Sequence, residues 1–479
     1  MQAKFIFAFF LSISTFSFSQ DSLVKIEGYA PDYVGKIINI YGVQDYLSQK
    51  ETLLCSAVVG IDSLFKIEFQ ADKTQKIIIS SDNNRAYMYA QPNAQYQVFL
   101  PSKNPYSPPS KSGNLVELSF NELSPADINY KILSFLRWND EYIGRYYKIK
   151  KTDPGTFANK LDTFKIYVER AYKDEDDIYF LTYVKFKMAK NDDINFAGSR
   201  NRYEKYDFYL KPSPVFYNND AYMNYVKNYY HNLIPRLSNE ANGQVYMGVL
   251  KSSPTLIMRA LGSEYALDNL RLREMVMIQA LSEVYNSNDY PQTNLLTIFD
   301  SLENKALFHE HRIIARNIKA RLTELVPGAA SPDFTLSLEG DSLRKKEFFY
   351  GKYLYFHVSD FTSPTSINEI PLLKELHKKY SDHIEFLTVV VDSLNWTKQQ
   401  AEVYKKISWK KTAVKSNDKL IESYKIRNFP RYILIDPQGY IVNPTSLGPT
   451  PDAQYETIEK TFYFIQRMNT KEKEFIPGE

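Results

Sequence analysis

The chain has 479 residues, 44% of them hydrophobic, which is enough for about three domains with buried cores. Its 59 basic and 56 acidic side chains leave a formal net charge of +3, which excludes the one-sided basic surface of a nucleic-acid or anionic-membrane binder. Thirty-eight tyrosines raise the aromatic content to 15%, and such amphipathic rings suit cores, interfaces and sugar faces.

Residues 1–19 read as a secretory signal peptide: Lys4, an apolar run over 5–13, then small residues Ser17 and Ser19 before a cut at Gln20. The run is too short to span a bilayer, and no cysteine follows it to carry a lipid. No later stretch of about 18 uninterrupted apolar residues occurs, so no membrane span is expected. The single cysteine, Cys55, rules out any internal disulfide.

From 22 to 101 the pattern predicts seven short strands, at 24–26, 36–41, 53–59, 64–69, 76–80, 86–90 and 96–100, spaced as in a small β-sandwich or open barrel. Alternation puts Leu53, Cys55, Ala57 and Val59 on one inward face, where Cys55 is a small buried apolar residue. Residues 102–114 form a proline-rich linker. Residues 115–326 predict an all-α region of about eight helices, broken near Lys211-Pro-Ser-Pro214, with Ile132, Phe135, Leu136 and Trp138 opening the helical periodicity. Asp174-Glu-Asp-Asp177 reads as a solvated loop rather than a metal site. His309 and His311, two apart on a helix, point roughly 200° apart and make no ligand pair.

At 326–336 prolines and glycine end the helices, and the pattern then alternates β and α to 470. Strands are predicted at 352–358, 384–391, 431–435 and 440–442, with helices at 367–380, 398–406 and 453–467. The fold class is therefore multidomain: an N-terminal all-β sandwich, a central all-α region and a C-terminal α/β unit at 327–470.

Four segments of that last unit carry a family pattern: 327–336, the strand-turn-helix Tyr353 to Pro371, the strand ending Val390-Val-Asp392, and Tyr424 to Gly439. Together they resemble the TlpA-like branch of the thioredoxin fold, exported thiol-disulfide oxidoreductases of Gram-negative bacteria. The resemblance places Ser363 and Ser366 at the two cysteines of C-x-x-C, with Pro364 and Thr365 between them, Glu369 and Pro371 in the helix, and Thr362 where the family has tryptophan. It also implies that Phe429–Pro430 is a cis peptide beside the site. In the family the first cysteine is a thiolate stabilised at a helix N-terminus and the second resolves the mixed disulfide. Two hydroxyls supply neither function, so redox catalysis is not expected. Ser363 instead suits an N-cap ahead of Pro364. A serine hydrolase is not expected either, since His357, His377 and His383 do not fall beside the serines.

What remains is a groove for extended polypeptide formed by Phe429, Pro430, Thr362, Pro364 and Thr365. The expectation is a non-catalytic, exported binding or scaffolding module, periplasmic or associated with the outer membrane, with protein partners in the envelope. No cofactor, metal or nucleic acid is expected. Open alternatives are an oxidoreductase acting through Cys55 and glycan binding by the N-terminal β domain.

Overall fold

The computed structural model describes residues 22–81, 84–102, 114–195, 202–287, 289–338, 342–361, 364–391, 396–415, 418–426, 429–451 and 455–474. The signal-peptide reading at 1–19 therefore lies outside the described residues.

The N-terminal strands are β1 (Leu23–Tyr29), β2 (Ile37–Asp45), β3 (Lys50–Val58), β4 (Leu64–Gln70), β5 (Gln75–Ser81), β6 (Asn84–Ala90), β7 (Gln95–Phe99), β8 (Asn114–Leu115) and β9 (Ser119–Phe120). They form two sheets, of order β4-β1-β7-β9 and β3-β2-β5-β6-β8. Period-2 alternation turns Val24, Ile26, Phe65 and Ile67 of one sheet toward Ile38, Ile40, Ile77 and Ile79 of the other, making one sandwich core. All seven predicted strands form. Strands β8 and β9, two residues each, are too short for alternation to reveal, and they return the chain to both sheets after the linker. The sandwich thus extends past 101, and the helices begin at Ile128 rather than at 115.

One local expectation fails. A register shift between Ile40 and Tyr41, opposite Cys55 and Leu53, breaks the alternation of β3. Leu53 and Leu54 are both exposed, and Cys55 and Ala57 are only half-buried on this edge strand.

The central region holds α1 (Ile128–Tyr146), α2 (Ile149–Thr152), α3 (Pro154–Ala171), α4 (Ile178–Asn195), α5 (Arg202–Lys205), α6 (Asp220–Tyr229), α7 (Asn239–Leu250), α8 (Pro254–Leu261), α9 (Leu270–Glu283), α10 (Gln292–Lys305) and α11 (His309–Thr323). Among the described residues eleven helices replace the eight expected, because α2 and α5 are single turns and Ser253-Pro254 splits α7 from α8. The break near 211–214 is present. Asp153, Asn219, Ser238, Ser253 and Asn269 cap their helices by accepting backbone N–H groups. Asp174–Asp177 is a loop in which Asp177 accepts the Phe180 N–H and Glu175 pairs with Lys131 at 2.7 Å.

The core of this region also contains Tyr46, Leu47 and Tyr89 of the sandwich, so the two parts share one apolar interior. Several polar groups within the seam are matched. The Asn129 side chain bonds both the N–H and the C=O of Tyr89, and Asp220 accepts from the Tyr89 hydroxyl and from Lys76, the latter at 3.1 Å.

The C-terminal unit begins with a hairpin of β10 (Thr335–Leu338) and β11 (Ser342–Lys345). It continues through β12 (Tyr353–Ser359), α12 (Pro364–Tyr380), β13 (Ile384–Val391), α13 (Lys398–Lys405), β14 (Lys410–Val414), α14 (Lys419–Ser423), β15 (Arg431–Ile435), β16 (Ile441–Asn443) and α15 (Ile458–Glu474). The sheet order is β14-β13-β12-β15-β16, parallel from β14 to β12 and antiparallel beyond. Helices α12 and α15 cover one face, while α14 and the hairpin cover the other. Sequence periodicity missed β14 and α14. Both are short, and β14 opens with paired lysines that suit a sheet edge better than an apolar run does. Among the described residues no helix is long and apolar enough to cross a membrane.

Gly28 on β1 faces Phe65 on β4, and a methyl group there would lie 2.0 Å from the buried phenyl ring. Gly28→Ala should therefore destabilise the chain by about 1–3 kcal/mol, read as a lower midpoint in chemical unfolding. An unchanged midpoint would mean that the ring moves freely.

Candidate functional site

Strand β12 is central in the sheet because its side chains are apolar on both faces, as a strand covered on both sides requires. At its C-terminal end the chain turns through Asp360 and Phe361, the latter at φ +54, and α12 begins at Pro364. Thr362 and Ser363 lie outside the described residues. Ser366 is fully buried in the first turn of α12, whereas Thr365 is exposed. Across the sheet the Phe429–Pro430 peptide is cis, as the resemblance implied.

Behind this turn the interior is polar, and within it His357 Nε2 is buried without a hydrogen-bond partner among the described residues. Glu369, buried on α12, accepts the Tyr432 hydroxyl at 2.7 Å. The Tyr432 ring is sandwiched between Tyr355, at 5.2 Å, and His357, at 4.9 Å, with nearly parallel planes. His357 Nδ1 lies 3.1 Å from the Thr388 hydroxyl, which also accepts the Trp409 indole N–H. His357 is thus a core residue. His377 packs against Phe386 and Trp409, so neither histidine attends the serine turn.

In front of the turn lies a crevice of about 690 Å³. One wall is Asp360, Val391, Trp396 and Phe429 of the C-terminal unit. The other is the outer face of the second sandwich sheet, with Asn39, Tyr41 and Leu53, and α11 contributes Asn317 and Arg321 to the floor. Neighbouring strands present these sheet residues together, since Tyr41 pairs with Leu53 and Asn39 with Ser80. Trp396 is held by packing on Phe361 and Tyr404. The capping box of Thr397 and Gln400 starts α13 beside it, and Gln400 reaches back to the Phe361 carbonyl at 2.9 Å. On the sandwich wall Arg85 and Glu51 pair at 2.7 Å in a mostly buried setting. Lys425 and Glu324 bridge the two sides at 3.1 Å, but both are exposed and add little to stability.

Of the residues predicted for a binding groove, the structure brings Phe429 to the crevice. Thr365 and Pro430 are not among its lining residues, and neither is Ser366, while the Pro364 side chain lies outside what the structure describes. Sequence reasoning missed Asp360, Trp396 and the whole sandwich wall. Trp396 is one of only three tryptophans, a signal that was present but unlocated. Among the described residues no group of three or more histidine, cysteine, aspartate or glutamate side chains is arranged to hold a metal. The lining offers hydroxyl, amide, charged and aromatic groups.

Residues 352–441 match a family model described as thioredoxin-like. The C-terminal unit is a thioredoxin-like domain. Among solved structures, a candidate thiol-disulfide oxidoreductase from Bacteroides vulgatus is 29% identical over 29% of this chain and 97% of its own, with a TM-score of 0.25. The thioredoxin domain of a thiol-disulfide oxidoreductase from the same organism is 24% identical over 25% of this chain and 88% of its own, with a TM-score of 0.23. A thiol:disulfide interchange protein from Bacteroides sp. is 25% identical over 25% and 80%, also at 0.23. Among curated proteins no relative matches.

Two measurements test the electrostatics of these elements. Burial lowers the His357 pKa from 6.5 to about 3. The unfolded chain takes up a proton that the folded chain refuses, so this stability is complete above pH 6.5 and is lost as pH falls from there toward 3. Unfolding midpoints of His357→Gln should fall less steeply than those of the parent across that window, and equal slopes would clear His357 of the effect. Burial also raises the Cys55 thiol from 9.0 to about 11. Its alkylation by iodoacetamide near neutral pH should be roughly 100-fold slower than that of a free thiol, because the thiolate is the reacting species.

Proposed function

We propose that the protein is an exported, redox-inactive thioredoxin-fold module that holds a protein partner of the cell envelope against the crevice between its thioredoxin-like domain and its sandwich. The observation that carries this reading is the placement of the only cysteine. Cys55 stands on an edge strand of the sandwich, half-buried, outside the crevice lining, and protonated at neutral pH. Thiol-disulfide exchange needs a nucleophilic thiolate and a second thiol to resolve the mixed disulfide. Ser363 and Ser366 have no thiol to give, and the Ser366 side chain is enclosed.

Loss of the thiols leaves the recognition surface in place. Trp396 and Phe429 offer aromatic anchors, and about 690 Å³ of space lies between walls rich in hydrogen-bonding groups, a combination that suits a polypeptide segment. The secretory pattern at residues 1–19 supports export.

In an insulin-reduction assay the full chain should show no turnover, and Cys55→Ser should change nothing. Turnover that disappears in Cys55→Ser would overturn the redox-inactive reading. Tagged protein isolated from gently solubilised envelope should bring a partner in fixed proportion, and the Trp396→Ala, Phe429→Ala pair should weaken its recovery at least about tenfold. Recovery of the parent as a lone monomer would end the partner reading.

A further inference from the structure

We propose that a second cavity, at the junction of the sandwich and the helical region, binds a neutral saccharide. This cavity has a volume of about 710 Å³, within the usual range for small-molecule sites, and is lined by side chains remote from the thioredoxin-like domain.

The first reason is a pair of hydroxyls not engaged by the protein. Tyr46, from the β2–β3 hairpin, and Thr182, on α4, are each 7% exposed and line the cavity. Neither hydroxyl has a hydrogen-bond partner among the described residues, and neither is sealed away from the open space. Both hydroxyls are free to bond whatever fills the cavity, and each can accept and donate, so a ligand that does both can replace the water there.

The second reason is the wall. Tyr179, Phe216 and Tyr217 line the cavity with aromatic rings able to pack on the C–H faces of a sugar. Tyr217 is fixed in place from behind. Its hydroxyl lies 2.7 Å from His311 Nε2, and His311 Nδ1 lies 2.7 Å from the buried Glu274 carboxylate. Glu274 is fastened in turn by the Leu307 N–H at 2.9 Å. This three-residue chain holds Tyr217 at the cavity wall.

Charge narrows the class of ligand. Asp45, Asp176, Asp177 and Glu310 line the cavity against a single Lys73, which disfavours an acidic sugar or a phosphate ester. An organic cation suits the charge but offers only donors, so it leaves the Tyr46 and Thr182 protons without acceptors. Sugar hydroxyls serve both sides. The inference stands apart from the partner-binding crevice, with which this cavity shares no lining residue.

The test is titration calorimetry on the full chain with maltose, cellobiose and lactose, using galacturonic acid and spermidine as contrasts. At least one neutral disaccharide should bind saturably, and Tyr46→Phe and Thr182→Val should each weaken it about tenfold, the loss of one hydrogen bond. Both variants should keep the parent unfolding midpoint, since the deleted hydroxyls hold nothing in the free protein. The proposal falls if no neutral disaccharide binds at millimolar concentration, if galacturonic acid or spermidine binds more tightly, or if both variants bind as the parent does.

Discussion

The buried carboxylate of Asp45 is the contact on which the arrangement of the three parts depends. One oxygen accepts the N–H groups of Leu47 and Ser48, at 3.0 and 2.6 Å, which closes the β2–β3 hairpin. The other accepts the Asn317 amide of α11 at 2.8 Å together with the Ser48 hydroxyl. Arg321, one turn further along α11, donates to the Leu47 carbonyl at 2.9 Å. A carboxylate out of water is costly unless every lone pair is taken, and here four donors converge on it. Hairpin and helix are thereby locked in one relation. Because α11 leads directly into the thioredoxin-like domain, this also sets which face of the sandwich the crevice receives.

How much of this could be read from the sequence depended on range. The strand Tyr353–Ser359, the helix after it and the Phe429–Pro430 segment are local patterns, and each forms where its residues indicate. The crevice opposite them is not local. Alternation puts Leu53 on the inward face, and nothing in it says what stands in front of Asn39 and Tyr41. His311 is a sharper case. Spacing alone correctly separates it from His309, but its partners are Glu274 and Tyr217, 37 and 94 residues away, on segments with no shared motif. The bulge in β3 is likewise invisible, because one extra residue shifts a period-2 pattern without changing its composition.

Buried contacts beneath α12 support the start of that helix. Glu369 and Pro371 remain, and Glu369 now takes part in a buried hydrogen bond to Tyr432 beneath a stack of three rings. These contacts stabilise the domain whether the helix starts with a thiol or a hydroxyl. Trp396, Phe429 and the sheet face that they confront lie in front of this supported helix and line the crevice.

The interior shared by the sandwich and the helices has a consequence for how such a chain can be assembled from parts. Tyr46, Leu47 and Tyr89 belong to strands and hairpins of the sandwich, yet they pack among Phe180, Tyr183 and Tyr222 of the helices. A cut between these two regions bares apolar surface on both sides, so they can be inherited or transplanted only as one block. The thioredoxin-like domain, with two apolar interiors of its own, is the exchangeable piece, and a gene could replace it without disturbing what precedes it.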